Sequence, residues 1–387
     1  MNALQLNRLG EIATIFSKLG VIGFGGPVAH IAMIEDEVVT RRQWLTKEHF
    51  LDLLGATNLI PGPNSTEIAI HIGYIYAGWL GLIVAGVCFI LPAVVITGFL
   101  AWLYIHYSTL PQFSPLLYGI KPAVLGIIFN ALWRLSKKAV KTKQLLIIAI
   151  LVSLVTWFGN INEVIALLLG GILGMIWLRN SHKVNLIIPA LTIAITHQKI
   201  DSNYVSVPLW QLGLFFLKIG SVLFGGGYLL IAFLQGELVE NYGWLTQKQL
   251  LDAVAIGQFT PGPVLSTATF IGYIISGLPG AIIATLGIFV PSFIFVAILN
   301  PLIPRLRNSP WTKAFLDAVN VSAVALMVVT TLQLGITTLN LQNIPDIDVL
   351  SVIIFFTSTF LILRYSINSA WLVLGSGVIG WVISVVR

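Results

Sequence analysis

The chain carries one long motif pattern twice, about 200 positions apart. The matched elements are a lysine, a glycine and a Phe-Gly-Gly run, at Lys18, Gly20 and 24–26, and again at Lys218, Gly220 and 224–226. A Pro-Gly-Pro run follows in each copy, at 61–63 and 261–263. After one deleted residue, Gly73-Tyr74 returns as Gly272-Tyr273. Helix-breaking clusters at matching places in two apolar halves are typical of transporters built from an internal repeat.

The composition indicates an all-α integral membrane protein. Hydrophobic residues make up 57% of the chain and charged residues only 9%, against about 25% charged residues in soluble domains. The chain has a single cysteine, which rules out a disulfide framework, and its six histidines are too scattered to indicate a metal site. We therefore expect no cofactor. A net charge of +6 is also found in proteins that bind nucleic acid. In so apolar a chain, however, basic residues more often mark cytoplasmic loops, so we expect a lipid bilayer and no nucleic acid as partner.

The repeat divides the chain into a first copy at 1–180, a connector at 181–208 and a second copy at 209–387. Apolar segments that suit helices lie near 10–38, 48–60, 64–77, 78–105, 115–135, 144–158 and 161–178, with counterparts near 210–238, 248–260, 264–276, 277–300, 314–335, 347–363 and 367–386. The segments that flank each Pro-Gly-Pro run are shorter than the roughly 20 residues of a spanning helix. They are predicted to be half-helices or a re-entrant pair, with a tight turn at the membrane surface as the alternative.

The distribution of basic loops predicts that the two copies have inverted topology. In the first copy, residues 41–47 and 137–143 are basic. In the second copy the basic loop is 300–313, whereas 240–247 and 337–346 contain no lysine or arginine. Because basic loops stay in the cytoplasm, equivalent loops are expected on opposite faces. If each copy crosses the membrane an even number of times, the connector has to cross it as well. The exact number of crossings stays open.

The lysines and glycines of the first motif are candidates for anion binding. A lysine within a membrane segment is costly and by default suggests a functional site, although it can also extend toward the interface. The following glycines can expose backbone N–H groups at the start of a new half-helix, whose positive end favours an anion; small-residue packing between helices is the alternative. These candidates are Lys18, Gly23, Gly25 and Gly26 in the first copy and Lys218, Gly225, Gly226 and Gly227 in the second.

Neutral polar residues surround each Pro-Gly-Pro run and suit the replacement of an oxyanion's hydration shell. The candidates are Asn58, Pro61, Gly62, Pro63, Asn64 and Ser65 in the first copy, and Gln258, Thr260, Pro261, Gly262, Pro263 and Ser266 in the second. Turn formation and helix capping are the structural alternative for the residues just after each run. Thr246 starts a T-x-x-Q capping-box pattern, which predicts the beginning of a helix.

Three glutamates are candidates for balancing the lysines or relaying protons. Glu37 and Glu237 occupy equivalent positions, whereas Glu67 has Thr267 as its counterpart. A coupling role of Glu67 would therefore be asymmetric. For the run 35–37 as a whole, a solvated helix end is the expected structure.

In combination, these motifs resemble the chromate ion transporter family in its long, two-domain form. The resemblance rests on F-x-K-x-G-x-x-x-F-G-G, W-L-T, L-D ahead of P-G-P, then G-Y and G-x-x-G, and it covers nearly the whole chain. It implies a multi-pass plasma-membrane transporter that exports chromate and confers chromate resistance, with sulfate as a related oxyanion. It also implies roles for Lys18, Gly25, Gly26 and the first Pro-Gly-Pro run with their counterparts. Pro27, where the second copy has Gly227, departs from the repeat.

Other functions remain as alternatives. Chromate and sulfate are both tetrahedral dianions, so uptake or exchange of sulfate or another anion competes with chromate export, and a passive channel competes with a carrier. The absence of a Walker A motif in the sequence argues against direct ATP drive. A third alternative, an intramembrane enzyme or a lipid-phosphate scramblase with a re-entrant hairpin, is disfavoured, because no paired intramembrane carboxylates or histidine clusters appear in the sequence. The oligomeric state is open, with a homodimer as one alternative.

Overall fold

A computed structural model describes residues 3–108, 114–159, 161–179, 207–224, 227–299, 309–341, 348–365 and 367–386. Within these ranges the regular structure is helical throughout and contains no strand. The connector predicted at 181–208 lies outside the described residues except for its last two positions, as do Gly225 and Gly226 of the second copy.

The described part of each copy contains seven α-helices in the same order. In the first copy they are α1 (Ala3–Ile22), α2 (Gly26–Glu35), α3 (Lys47–Thr57), α4 (Asn64–Tyr107), α5 (Ser114–Ala139), α6 (Lys143–Gly159) and α7 (Glu163–Arg179). In the second copy they are α8 (Leu209–Val222), α9 (Leu229–Phe233), α10 (Gln247–Phe259), α11 (Thr267–Leu299), α12 (Pro310–Thr338), α13 (Val349–Tyr365) and α14 (Ser369–Val386). A π-helical turn continues α2 over Asp36–Arg41 and α9 over Leu234–Asn241.

The helices that follow the Trp-Leu-Thr motifs begin as the sequence predicts. Thr46 accepts a hydrogen bond from the backbone N–H of His49 at the start of α3. At the start of α10, Thr246 and Gln249 form the complete capping box. Side-chain acceptors at these positions satisfy backbone donors that a helix N-terminus leaves without partners, so the motifs fix where both helices start.

The two long helices after the Pro-Gly-Pro runs fold back on themselves. In α4 the backbone leaves helical geometry at Ala77 and Gly78, where Gly78 has φ +68°, a region that favours glycine. The limbs before and after this turn pack antiparallel, since a Cβ added to Gly73 would lie 2.5 Å from Cβ of Ala85. The second copy repeats the turn at Ser276 and Gly277 of α11. Each turn coincides with the predicted boundary between two apolar segments.

Four of the described helices, α4, α5, α11 and α12, are long and apolar enough to span a membrane. Helix α1 packs on α4, and its counterpart α8 packs on α11. Helices α4 and α11 also pack against each other. The last two helices of each copy pack against the other copy, α6 and α7 on α12, and α13 and α14 on α5. The two copies therefore interlock, and neither buries its apolar faces without the other.

The equivalent helices α5 and α12 contact each other in antiparallel orientation. Lys141, just after α5, forms an ion pair of 2.8 Å with Asp317 near the start of α12. Near the opposite ends, Leu125 of α5 approaches Gly335 of α12. This antiparallel pair and the α4–α11 pair are the elements that place the two copies relative to each other.

Candidate functional site

The first Phe-Gly-Gly run separates two helices, α1 and α2. Gly25 and Gly26 have φ +106° and +77°, values that side chains larger than glycine adopt at a cost. The side chain of His30, one turn into α2, donates from Nε2 to the carbonyl oxygen of Gly23 at 2.8 Å. The break is therefore a defined structure, in which the next helix begins at Gly26.

The breaks of the two copies are joined by two reciprocal hydrogen bonds. The backbone N–H of Gly62, in the first Pro-Gly-Pro run, donates to the carbonyl oxygen of Leu223 at 2.8 Å. The backbone N–H of Gly262, in the second run, donates to the carbonyl oxygen of Gly23 at 2.7 Å. Gly23 and Leu223 occupy matching positions just before the two Phe-Gly-Gly runs. The Pro-Gly-Pro break of each copy thus binds the glycine break of the other.

These hydrogen bonds determine what the central glycines can do in this conformation. Their N–H groups are engaged and do not point at a free anion. Both glycines are fully enclosed, with φ +145° at Gly62 and +89° at Gly262. Of the predicted site residues, these two serve here to connect the copies, and they can contact a solute through their N–H groups only if the connection opens.

The polar side chains around the two runs differ between the copies. Asn58 accepts a hydrogen bond from Asn64 at 2.9 Å across the first run, and Asn58 is exposed. At the second run, Gln258 is buried, and the hydroxyl of Ser266 contacts Thr97 of the first copy at 3.2 Å. The first run therefore presents accessible amides, whereas the polar groups of the second run face protein.

Glu67 is fully buried beside the first break. A Cβ added to Gly62 would lie 2.4 Å from Oε1 of Glu67 and 2.6 Å from Oγ of Ser292, so both side chains converge on this glycine. His71, one turn along α4, is also fully buried. None of these three side chains has a hydrogen-bond partner among the described residues.

Ser292 and His71 belong to the site although sequence reasoning did not select them. Both are polar residues in strongly apolar segments, a signal that could have identified them. Ser292 follows Pro291, the counterpart of Pro92, and its own counterpart is Ala93. The two sides of the site are unlike at this position, since Gly262 faces the methyl group of Ala93 where Gly62 faces a hydroxyl.

Each motif lysine is paired with the glutamate at the equivalent position of its copy. Nζ of Lys18 lies 3.7 Å from Glu37, which also binds Arg42 at 3.2 Å. Nζ of Lys218 lies 2.5 Å from Glu237. Because both lysines have a counter-ion, their attraction for a free anion is reduced in this conformation.

The expectation of a solvated acidic run at 35–37 is wrong for Glu37. The side chain of Glu37 is buried, with 7% of its surface exposed, because the π-helical turn points it toward Lys18 and Arg42. Asp36 and Glu35 are more exposed and pair with Arg41 and Lys47. The run is a set of ion pairs at the end of α2.

The chemistry available at the breaks is hydrogen bonding by amides, hydroxyls and backbone groups, together with one buried carboxyl group. In the described ranges, no cluster of three or more histidine, cysteine or acidic side chains could hold a metal ion. Such neutral groups can replace part of an oxyanion's hydration shell without binding it irreversibly.

Comparison with known proteins places both copies in one family. The family model described as chromate transporter matches residues 10–175 and again residues 210–381. The chain is 31% identical, over 94% of its length and 90% of the relative, to a probable chromate transport protein of Synechococcus elongatus. It is 35% identical, over 82% of its length and 80% of the relative, to a chromate transport protein of Cupriavidus metallidurans.

A third relative, a chromate transport protein of Pseudomonas aeruginosa, is 30% identical over 95% of this chain and 91% of its own length. No solved structure matches the chain. Both matched regions contain a Phe-Gly-Gly run and a Pro-Gly-Pro run, and the Pro-Gly-Pro run of each copy binds the residue just before the Phe-Gly-Gly run of the other. The chain therefore belongs to the chromate transporter family.

Proposed function

We propose that the chain is a secondary transporter that exports chromate across the plasma membrane and so confers chromate resistance. Membership of the family supports transport across a membrane, and the names of three relatives support chromate as the solute. Sulfate has the same charge and tetrahedral shape, so it is expected to compete with chromate. The membrane potential or an exchanged ion drives transport.

The observation that carries the proposal is the reciprocal pair of hydrogen bonds between the breaks, from Gly62 to Leu223 and from Gly262 to Gly23. Binding sites of repeat transporters lie where interrupted helices of two repeats meet near the middle of the membrane. Under an inverted topology, this junction is the axis about which one copy rocks against the other. Opening the junction on either side would release N–H groups that can contact an oxyanion.

We assign the residues selected from the sequence to two roles at this junction, which are contact with the solute and support of the junction itself. The accessible amides of Asn58 and Asn64 and the start of α2 at Gly26 contact the solute first, with Lys18 and Lys218 supplying positive charge when their glutamates shift. The partial positive charge of a helix N-terminus adds to this attraction. The remaining members of the two Pro-Gly-Pro sets hold the junction in shape.

Flux measurements in everted membrane vesicles test the function. The proposal predicts saturable accumulation of radiolabelled chromate inside everted vesicles, inhibition by sulfate, and counterflow after preloading with unlabelled chromate. Vesicles that contain the Gly55→Ala variant provide a matched control, because an added methyl group meets no atom within 4 Å at this position. Sulfate flux without chromate flux would show a different substrate, and flux without counterflow would show a channel.

Coupling to protons through Glu67 is part of the same proposal, with Glu37 and Glu237 as further candidates. Glu67→Gln preserves the shape of the side chain but cannot bind and release a proton. We expect this variant to transport chromate down its gradient while losing the response to an imposed pH gradient. Glu48→Gln, at an exposed glutamate of α3, is the control. An unchanged response of Glu67→Gln to the pH gradient contradicts the coupling role.

A further inference from the structure

We propose that two cavities at opposite ends of the α5–α12 pair are the inner and outer oxyanion vestibules of a single transport route. We define the inner cavity as the one beside Lys138 and Lys313, and the outer cavity as the one beside Lys121 and Lys248. This inference rests on the proposed function, and it adds residues outside the repeated glycine and proline motifs.

The inner cavity connects the breaks of both copies with a cluster of lysines. Its volume is about 350 Å³, within the roughly 300–1,000 Å³ of small-molecule sites. Asn58 and Asn64, on either side of the first Pro-Gly-Pro run, lie in its wall, as does Phe224 of the second Phe-Gly-Gly run. A solute in this cavity is thus in contact with the junction described above.

The charge of the inner cavity suits a doubly negative solute. Three lysines and one aspartate line it: Lys138, Lys141, Lys313 and Asp317. Lys141 is paired with Asp317 at 2.8 Å. In the part of the chain that the structure describes, Lys138 and Lys313 have no ion-pair partner. Two lysines therefore remain for a dianion, in a concave site where the low-dielectric walls strengthen their attraction.

The outer cavity has a similar composition at the other end of the same helices. Its volume is about 300 Å³, and Lys121 and Lys248 line it together with hydroxyl groups of Tyr118, Thr337 and Ser351. The carboxylate of Asp252 interacts electrostatically with Lys121 and accepts a hydrogen bond from Tyr104 at 2.9 Å. Because the hydroxyl groups of Tyr118 and Ser351 donate to Asp348 and that of Thr337 donates to the backbone, Lys121 and Lys248 are the groups that this cavity offers to a small oxyanion.

The internal repeat relates the two cavities. Gly174 and Gly380 occupy matching positions in the two copies. Gly174 lies against Ala318 of α12 and Gly380 lies against Gly119 of α5, so Ala318 and Gly119 also occupy matching positions. With this register, three inner positions correspond to three outer ones: Asp317 to Tyr118, Asn320 to Lys121, and Lys138 to Thr337. A pair of symmetry-related cavities is what an alternating-access transporter needs on its two sides.

The position of the cavities along the helices indicates how far each one lies from the junction. Lys121 and Lys138 are 17 residues apart on α5, about 25 Å, a distance close to the thickness of the hydrocarbon core. The inner cavity extends along α12 from Lys313 to Met327, whereas the outer cavity begins at Thr337. Buried side chains, including Leu334, fill the part of α12 between them. In the described conformation the inner cavity therefore reaches the junction, and buried side chains of α12 separate it from the outer cavity.

Equilibrium binding to the purified full-length protein tests the inner vestibule, with radiolabelled chromate and radiolabelled sulfate as probes. We expect the double variant Lys138→Gln/Lys313→Gln to bind both anions about tenfold more weakly than the wild type. The double arginine variant at the same positions should retain binding. Lys143→Gln, in the same basic segment but outside the cavity, is the matched control. Wild-type affinity in the glutamine variant would overturn the inference.

Two further measurements keep the test decisive. If the glutamine variant does not fold, Asn320→Asp places a negative charge in the cavity wall and should weaken binding instead; unchanged affinity there overturns the inference.

In vesicles of defined orientation, Lys121→Gln should raise the KM only for substrate added on the outer side, and the inner variants should raise it only for substrate added on the inner side. Effects without side preference contradict two vestibules.

The outcomes also separate this inference from the proposed function. If the protein binds sulfate but neither binds nor transports chromate, and the lysine variants weaken sulfate binding, the vestibules are supported and the chromate proposal fails. If chromate is transported while all of the lysine variants behave as the wild type, the function is supported and the vestibules are wrong.

Discussion

At the scale of single residues, the matched lysine–glutamate pairs have unequal surroundings. Glu37 has a second cation, Arg42, within 3.2 Å. Glu237 is 2% exposed, and its neighbours are Lys218 and the amide of Asn162, both at 2.5 Å. Removing the lysine therefore leaves Glu37 with a counter-ion but leaves Glu237 with a neutral partner, and a buried charge without a counter-ion is destabilising.

This difference predicts unequal effects of the same substitution. Lys218→Ala is expected to lower the free energy of unfolding by about 1–3 kcal/mol. Lys18→Ala should lower it by less than about 1 kcal/mol, because Lys18 is half exposed and Glu37 keeps Arg42 as a counter-ion. Thermal unfolding of the purified proteins in detergent measures both. Adding Glu237→Gln to Lys218→Ala should recover part of the loss. Equal destabilisation by the two single variants, or no recovery in the double variant, would count against this account of the pairs.

Sequence reasoning reached some of these contacts and missed others for a definable reason. Glu37 and Glu237 were selected as candidates for balancing the lysines or relaying protons because they occupy equivalent positions in the repeat, and each forms an ion pair with its lysine. The approach of Ser292 to Glu67 joins residues 225 positions apart, and nothing in the local pattern of either segment indicates it. Lys121 was not selected, because the repeat pattern does not mark it: its counterpart, Asn320, is uncharged.

At the scale of elements, the Pro-Gly-Pro breaks depend on a glycine at their centre. A methyl group at Gly62 would meet Oε1 of Glu67 at 2.4 Å, and one at Gly262 would meet Cβ of Ala93 at 2.9 Å. Both glycines also have positive φ angles. A larger residue would strain the backbone and separate the breaks that the reciprocal hydrogen bonds hold together.

Alanine substitutions at these glycines should therefore disturb both stability and transport. Gly62→Ala and Gly262→Ala are each expected to lower the free energy of unfolding by about 1–3 kcal/mol, the cost of a strained backbone position, and to slow chromate flux. Gly55→Ala, within helix α3, should change stability by less than about 1 kcal/mol. Thermal unfolding and vesicle flux measure the effects. Wild-type flux and stability in both junction variants would show that the junction is not needed.

Helix boundaries followed from local chemistry, whereas helix partners did not. The Pro-Gly-Pro runs end α3 and α10, and the turns at Gly78 and Gly277 coincide with predicted boundaries. The packing of α7 on α12 and of α14 on α5 was not predicted. Both copies present similar small-residue faces, so the sequence does not indicate whether a helix packs within its own copy or on the other.

At the scale of the whole molecule, the interlocked copies support the proposed inverted arrangement. The equivalent helices α5 and α12 lie antiparallel, with Lys141 paired to Asp317 at one end. If both helices span the bilayer, their equivalent ends lie on opposite faces. On the proposed function, this arrangement places the junction of breaks near the centre and one vestibule at each end of the helix pair, and we expect rocking of one copy to expose one vestibule at a time.

Labelling of single cysteines at equivalent loops tests this arrangement most directly. In a Cys88→Ala background, Thr142→Cys follows α5 and Leu341→Cys follows α12, and both positions are exposed. A membrane-impermeant maleimide applied to intact cells should label Leu341→Cys at once and Thr142→Cys only after the cells are permeabilised. Labelling of both positions from the same side of the membrane would contradict the antiparallel copies on which the transport mechanism depends.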